Sequence, residues 1–177
     1  KASPWSIAID ETQRMAIEAD STFGEPYATA GMKGLAAARA IGLLTYRGPE
    51  GYDLSQRDEN DDFSSHRACT YQQYQGEKLC RRYNAYSYYK ILNAFDTHDV
   101  GYQRGVAAAL QRITAECLVV GISTDLIFTV PEMQALHRML PRSTYHQIDS
   151  PFGHDGFLVE HEQLNRILNP FIHSTHE

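Results

Sequence analysis

The sequence predicts an α/β fold in which parallel strands alternate with helices in the second half of the chain. Two short runs, residues 117–123 (CLVVGIS) and 143–150 (STYHQIDS), predict strands, and a helical pattern follows each of them. The first run is almost continuously apolar, which is typical of a parallel strand that is covered on both faces. The order strand, helix, strand, helix is that of a doubly wound sheet.

Helical patterns occupy much of the remaining chain. Ser3 followed by Pro4 predicts a helix start, because serine caps a helix and proline fits its first position. Gly76 is the expected break within a third helical region. The predicted helices cover residues 4–20, 31–46, about 66–95, 105–113 and 129–140, and a last helix carries Phe157, Leu158, Leu164, Ile167, Leu168 and Phe171 at helical intervals.

The segment between the second and third helices predicts a surface loop. Residues 47–65 (RGPEGYDLSQRDENDDFSS) are polar, acidic and rich in turn residues. Two parallel strands are too few to form an independent sheet. We therefore expect this chain to be the C-terminal part of a larger protein, since it starts abruptly with a helix; strands that the pattern does not reveal are the alternative.

Composition excludes several classes of protein. The 177 residues carry a formal charge of −6 and no clustered lysines or arginines, which argues against a nucleic-acid partner. No apolar run approaches the roughly 20 residues that span a bilayer, so we expect a soluble protein. The three cysteines form no CxxC pair, which predicts no metal site and fits a reducing, cytoplasmic compartment.

Asp125 and His154 form the candidate catalytic pair. Each follows the carboxyl end of a predicted strand, and one strand-helix-strand unit separates them. The carboxyl ends of neighbouring parallel strands share one edge of the sheet, where α/β proteins bind ligands. A carboxylate bonded to an imidazole fixes its tautomer and stabilises its cation, as a general base requires. The alternatives are a turn or cap for the aspartate and simple packing for the histidine.

Two further features bear on that pair. His98 and Asp99 form a second His-Asp dipeptide, but no apolar strand precedes it, so we interpret it as a structural element of a loop. The order of an acid and then a histidine after late strands matches the end of a Ser-Asp-His series. No Gly-x-Ser-x-Gly motif, which would provide the serine, occurs in the sequence.

Five ordered blocks carry a resemblance that covers nearly the whole chain. In order they are SPWSIAIDETQRMAI, GLAAARAIGLLTYR, YQQYQGEKLCRRYNAYSYYKILNAFDTHDVG, LVVGISTDLIF and GHDGFL. The chain thereby resembles the C-terminal half of the homoserine O-acetyltransferases, acyltransferases with the α/β-hydrolase fold. The resemblance implies the last parallel strands and helices of that fold with an inserted helical lid. It also implies that the nucleophilic serine lies upstream of Lys1.

The resemblance implies a role for each of five residues. Asp125 and His154 match the aspartate and histidine of the catalytic triad, Arg39 and Tyr46 match lid residues at the substrate tunnel, and Asp155 matches a carboxylate that contacts the amino-acid acceptor. Independently of the resemblance, Arg39 and Tyr46 are two helical turns apart and share a face. A guanidinium among small apolar residues suits a bound carboxylate, and extension into solvent is the alternative.

The resemblance also implies an organisation and an activity. Residues 1–27 would belong to the α/β core, residues 28–105 would form the lid, and residues 106–177 would complete the core. The implied reaction moves an acetyl group from acetyl-CoA, a co-substrate, to the hydroxyl of L-homoserine in methionine biosynthesis, with no permanently bound cofactor. The tyrosine-rich lid helices would form a homodimer. The alternatives are succinyl transfer, a serine acceptor, ester hydrolysis, or a catalytically silent dimerisation module.

Overall fold

The computed structural model describes residues 1–59 and 64–174. These residues form two compact units, the first from Lys1–Leu44 and Asp53–Asp99, the second from Thr45–Tyr52 and the chain from Val100 onwards. The helices and strands are, in order, α1 (Pro4–Glu18), α2 (Met32–Tyr46), α3 (Pro49–Gln56), α4 (Arg67–Cys80), α5 (Ala85–Thr97), α6 (Val106–Leu110), β1 (Cys117–Ile122), α7 (Val130–Met139), β2 (Ser143–Ile148), a 3-10 helix (Gly153–Leu158) and α8 (His161–Ser174).

Polar side chains fix the helix starts in the first unit. The Ser3 hydroxyl accepts a hydrogen bond from the backbone N–H of Ser6 at 3.2 Å, and Pro4 opens α1, as the sequence predicts. Asn84 caps α5 in the same way by accepting from the N–H of Ser87 at 2.8 Å. These caps satisfy N–H groups that have no partner within their own helix.

The core of the first unit is built from close helix contacts. Its buried apolar centre consists of Ile17, Leu35, Ala38 and Ala85. A Cβ on Gly34 of α2 would lie 2.7 Å from the Ala16 carbonyl oxygen of α1, so only glycine permits this approach. Helix α4 makes a similar contact with α2 through Gly76. The predicted break at Gly76 is therefore wrong: the helix continues through this residue and stops at Cys80, four residues before the Asn84 cap.

A buried ion pair joins α1 to α5. Nη2 of Arg14 lies 2.7 Å from Oδ2 of Asp96 and 2.7 Å from Oε2 of Glu11, and Arg14 is only 7% exposed. The carboxyl group of Asp10, one turn before Arg14, is affected by the same surroundings. Burial is the main cause that raises its pKa to about 6, and the charge of Asp96 is the second. If α1 and α5 shifted relative to each other, Arg14 would lose Asp96 and remain buried with its charge only partly compensated. The cost of such a buried charge favours the observed alignment of the two helices.

Helix α3 corrects the prediction of a loop over residues 47–65. Pro49 is the first residue of α3 and Glu50 lies in its first turn, two features that favour a helix start. The polar composition of residues 47–65 concealed these two signals of a helix start. Residues 60–63 of the predicted loop are outside the described part of the chain.

The second unit contains the sheet. Strands β1 and β2 pair in parallel, in register from Cys117 opposite Ser143 to Ile122 opposite Ile148, and α7 connects them. Both strand predictions are thereby confirmed. Over the described ranges 1–59 and 64–174, the sheet consists of these two strands. Among the helices of those same ranges, none combines the length and the apolar character needed to cross a membrane.

The start of the predicted last helix is different from the expectation. Phe157 and Leu158 belong to the 3-10 helix, and α8 begins only at His161. Gly153 has a positive φ of 60°, and a Cβ on Gly156 would lie 2.8 Å from Cβ of Ser150. The backbone therefore turns tightly here before α8 begins, and we refer to Gly153–Leu158 as the His154 turn.

We expect Gly76→Ala to lower the free energy of unfolding by about 1–3 kcal/mol. Alanine is the better helix former by about 1 kcal/mol, but its Cβ would meet the Ala36 carbonyl oxygen at 2.7 Å. Urea unfolding of the protein that contains this chain measures the effect. Exposed Gln73 of the same helix supplies the control, Gln73→Ala. An increase in stability for Gly76→Ala would show that α4 and α2 do not touch at this point.

Candidate active site

Asp125 is held in place by the turn that follows β1. Its Oδ1 accepts hydrogen bonds from the backbone N–H groups of Ile127 at 2.7 Å and Phe128 at 3.0 Å. Its Oδ2 lies 2.8 Å from Nδ1 of His154. The side chain is only 4% exposed, so its charge is balanced by these donors rather than by water. Both carboxylate oxygens are therefore fixed before any ligand binds.

His154 presents one nitrogen to Asp125 and keeps the other available. The ionised carboxylate only accepts hydrogen bonds, so the neutral imidazole carries its proton on Nδ1 and a lone pair on Nε2. The hydrogen bond that the imidazole donates to Asp125 raises the pKa of His154, burial opposes this shift, and the charges of Asp125 and Asp155 add to it. This is the arrangement of a general base whose cation is stabilised.

The Thr124 hydroxyl links the two strand ends. It donates to the Ser150 carbonyl oxygen at 2.6 Å and accepts from the N–H of Gly153 at 2.9 Å. A second link runs from the N–H of Ser150 to the Ser123 hydroxyl at 3.2 Å. These bonds tie the residues next to Asp125 to the residues next to His154, so the separation of the candidate pair does not depend on one contact.

Three aromatic rings surround the imidazole. Ring centroids of Phe128 and Phe157 lie 5.4 Å from that of His154, and the Tyr46 ring lies at 6.1 Å. Phe128 and Phe157 are about half exposed. From the sequence, Phe157 was assigned to the last helix and Phe128 was given no role at the site. Phe128 ends the block LVVGISTDLIF and Phe157 directly follows GHDG, so both stood next to the candidate pair. Rings at this distance keep water from part of the imidazole surface.

Asp155 makes an ion pair that the sequence did not reveal. Nε of Arg47 donates to its Oδ2 at 3.2 Å. Arg47 directly follows Tyr46 in the block GLAAARAIGLLTYR, which was the available signal. The backbones also meet, because a Cβ on Gly153 would lie 2.7 Å from the N atom of Gly48.

The second unit thus brings together four of the five predicted site residues: Tyr46, Asp125, His154 and Asp155. Arg39 lies on α2 in the first unit, where it is partly buried. His98 of the second His-Asp dipeptide directly follows α5 in that first unit. Within residues 1–59 and 64–174, the structure gathers no group of three or more His, Cys, Asp or Glu side chains suited to a metal ion.

We expect His154 to titrate above its ordinary pKa of 6.5 and Asp125→Asn to lower that pKa, because the charge and the strongest acceptor are lost. The pair then stabilises the fold fully below pH 6.5, and this contribution disappears as the pH rises through the raised pKa of His154. NMR titration of the imidazole measures both values. Asp149→Asn, on an exposed carboxylate at the end of β2, is the matched control. An unchanged His154 titration in Asp125→Asn would contradict the contact.

Among curated proteins, the chain is similar to homoserine O-acetyltransferases. The chain is 45% identical over 97% of its length to a homoserine O-acetyltransferase of Cyclobacterium marinum. It is 40% identical over 96% of its length to a homoserine O-acetyltransferase of Thermus thermophilus. It spans 49% and 43% of these relatives, so it corresponds to about half of their length. No family model matches the chain.

Solved structures agree on the fold. The homoserine O-acetyltransferase of Staphylococcus aureus superposes with a TM-score of 0.72 over 99% of this chain and 47% of its own, at 24% identity. Esterase E22 gives 0.77 over 93% and 50%, at 21% identity. The α/β hydrolase MGS-M2, from a deep-sea metagenome, gives 0.62 over 97% and 52%, at 16% identity. The chain is therefore a homologue of the homoserine O-acetyltransferases over nearly all of its length, and it has the architecture of part of an α/β-hydrolase fold.

Proposed function

We propose that the protein containing this chain transfers an acetyl group from acetyl-CoA to the hydroxyl of L-homoserine. The observation that carries the proposal is the Asp125–His154 hydrogen bond of 2.8 Å, in a chain 45% identical to a homoserine O-acetyltransferase. That pair supplies the base for acyl transfer. The sequence contains no Gly-x-Ser-x-Gly motif, so the nucleophilic serine would come from a segment beyond these residues.

The reaction divides into two transfers that share one base. In the first, Nε2 of His154 takes the serine proton while the serine oxygen bonds to the thioester carbon. The carbon–sulfur bond breaks, and the proton passes to the departing thiolate of CoA. In the second, Nε2 takes the proton of the homoserine hydroxyl, whose oxygen attacks the acyl-serine. The serine leaves and recovers its proton from His154, while Asp125 stabilises the imidazolium at each step.

Charged residues would select the amino-acid acceptor. Arg39 is proposed to bind the acceptor carboxylate, because its planar guanidinium forms two parallel hydrogen bonds with a carboxylate. Asp155 is proposed to bind the acceptor ammonium, and Tyr46 to line the path to His154. The aromatic rings around the imidazole limit the access of water, which would otherwise hydrolyse the acyl-enzyme.

We also propose a domain organisation, a dimer interface, a cellular location and a pathway. We assign residues 28–105 to a lid, and residues 1–27 and 106–177 to the core of the hydrolase fold. The tyrosine-rich helices α4 and α5 are proposed as a homodimer interface, since tyrosine is enriched at interfaces. Acetyl-CoA would act as a co-substrate, with no resident cofactor. The proposed location is the cytoplasm, and the proposed pathway is methionine biosynthesis.

The catalytic pair is tested by Asp125→Asn and His154→Ala in the protein that contains this chain. Asp125→Asn should keep the fold and misorient the imidazole, with a loss of up to about 10⁴-fold in the rate. His154→Ala should cost at least as much. Release of CoA thiol in the absence of homoserine reports acyl-enzyme formation, and O-acetylhomoserine reports the complete reaction.

Asp149→Asn serves as the control for these variants. Near-normal acyl-enzyme formation in either variant would remove Asp125 and His154 from the mechanism, and His98 would then be tested. Release of acetate without O-acetylhomoserine in the unaltered protein would show an ester hydrolase instead of a transferase. A preference for succinyl-CoA, or for serine, would correct the donor or the acceptor.

The acceptor assignment predicts an unequal effect of Arg39→Ala on the two transfers. Loss of a charge-assisted contact, about 1.5–3 kcal/mol, should slow transfer to homoserine by about 10- to 150-fold and spare acyl-enzyme formation. Rapid mixing with acetyl-CoA and then with homoserine separates the two rates. Lys33→Ala, which removes an exposed cation from the same helix, is the control. An equal loss in both transfers would assign Arg39 a structural role.

A further inference from the structure

The ion pair between Arg47 and Asp155 lies next to the catalytic base. Asp155 immediately follows His154, and its Oδ2 accepts from Nε of Arg47 at 3.2 Å. The two side chains are 25% and 24% exposed. This is less solvent than the surface pairs Arg57–Asp53 and Arg166–Glu162 have, whose side chains are at least 76% exposed. The charge of Arg47 is therefore less screened than that of a surface arginine.

The backbone delivers Arg47 to this place. A Cβ on Gly153 would lie 3.0 Å from the carbonyl carbon of Arg47, and Cβ atoms on Gly48 and Gly51 would each lie 2.9 Å from the Pro151 carbonyl oxygen. Arg47 itself and two residues that follow it thus touch the chain at and just before the His154 turn. An arginine at the tip of a free loop would lack such constraints, so the pair with Asp155 is built into the packing.

We propose that Arg47 is a positioning residue for the acceptor step of the reaction. Its guanidinium holds Asp155 by Oδ2 and leaves Oδ1 to bind the ammonium of the acceptor, and its positive charge offsets the negative charge of Asp155 beside His154. The inference rests on the proposed function, in which Asp155 binds the acceptor. It adds a residue whose role is to orient that carboxylate and to limit its effect on the base.

The charges that face His154 determine the expected electrostatic effect. Asp125 bonds to Nδ1, Asp155 adjoins it on the same turn, and the Tyr46 ring packs near it. The charges of both carboxylates raise the pKa of His154. Without the Arg47 cation, the charge of Asp155 would be less compensated. The pKa of His154 should then rise further, and less neutral base would remain near pH 7.

The experiment compares Arg47→Gln, Arg47→Lys, Asp155→Asn and the double variant Arg47→Gln/Asp155→Asn in the protein that contains this chain and its nucleophile. On the alkaline plateau, where His154 is neutral, Arg47→Gln should raise KM for homoserine roughly 3- to 30-fold and spare acyl-enzyme formation. In the pH profile of acyl-enzyme formation, the acid limb of Arg47→Gln should move to higher pH, because the pKa of His154 rises. Arg47→Lys keeps the positive charge but loses the planar guanidinium. Its acid limb should therefore lie closer to that of the unaltered protein than its KM for homoserine does.

The double variant distinguishes positioning from general support of the fold. Once Asp155 is neutral, loss of Arg47 should have little additional effect on either KM or the acid limb, because both effects pass through that carboxylate. Arg166→Gln makes the same chemical change at an exposed position on α8 and should change neither quantity. Thermal unfolding of all variants shows whether the fold is retained.

Two results would overturn the inference, and they differ from failure of the proposed function. Arg47→Gln with unchanged KM and an unmoved acid limb would show that Arg47 does not act on Asp155 or His154. If Arg47→Gln slowed both transfers equally, and if its effect added to that of Asp155→Asn in the double variant, Arg47 would have a purely structural role. If the unaltered protein forms no acyl-enzyme, the proposed function fails. NMR titration of His154 in the same variants then decides the electrostatic part, and an unchanged pKa in Arg47→Gln would overturn it.

Discussion

The parallel pairing of β1 with β2 determines the geometry of the candidate site. The register places Ile122 opposite Ile148, so both strands stop at the same level and both following segments leave the sheet at one edge. Thr124 then bonds to Ser150 and Gly153 across that edge. The distance between Asp125 and His154 follows from this alignment, because each is only a few residues past its strand. A shift in register would separate the pair even if every side chain were kept.

Close backbone contact adds a second layer to that arrangement. Gly153 takes a positive φ and allows the chain at Gly48 to approach to a distance that a side chain would prevent. This contact places Tyr46 and Arg47 beside His154 and Asp155. The imidazole is thus fixed by a carboxylate on one side and by a packed segment on the other. The proposed reaction calls for such support, because in it the Nε2 atom of His154 must remain aligned through two successive proton transfers.

The sequence was sufficient for elements whose signals are local. The apolar run at residues 117–123 revealed β1, Ser3 and Pro4 revealed the start of α1, and the order of strand ends predicted that Asp125 and His154 meet. Helix α3 was missed because polar composition outweighed the start signal at Pro49. Phe157 and Leu158 follow helical spacing, yet the turn at Gly153 and the tight packing of Gly156 hold them in a 3-10 helix. Periodicity reports which residues face a core, but it does not report how the backbone enters a helix.

Two long-range ion pairs were beyond the reach of the sequence. Arg47 and Asp155 are 108 residues apart, and neither stands in a pattern that marks the other as its partner. The same holds for Arg14 and Asp96, which form the buried ion pair of the first unit. A charged residue in a helical pattern is usually solvated, so the sequence favours exposure by default. The energetic meaning of each pair therefore depends on burial that only the packed structure defines.

The charge balance around His154 explains why a third charged residue is useful at this site. Asp125 is required to orient the imidazole, and its hydrogen bond already favours the protonated ring. A second carboxylate next to the base favours protonation further, which would leave less of the free base at neutral pH. The proposed amino-acid acceptor nevertheless calls for such a carboxylate, because it carries an ammonium group. In the proposed acceptor site, a cation bound to Oδ2 of Asp155 would resolve the conflict, because it would leave Oδ1 for the substrate and reduce the field of the carboxylate at the imidazole. The Arg47–Asp155 pair has the position and the partial burial that this requires.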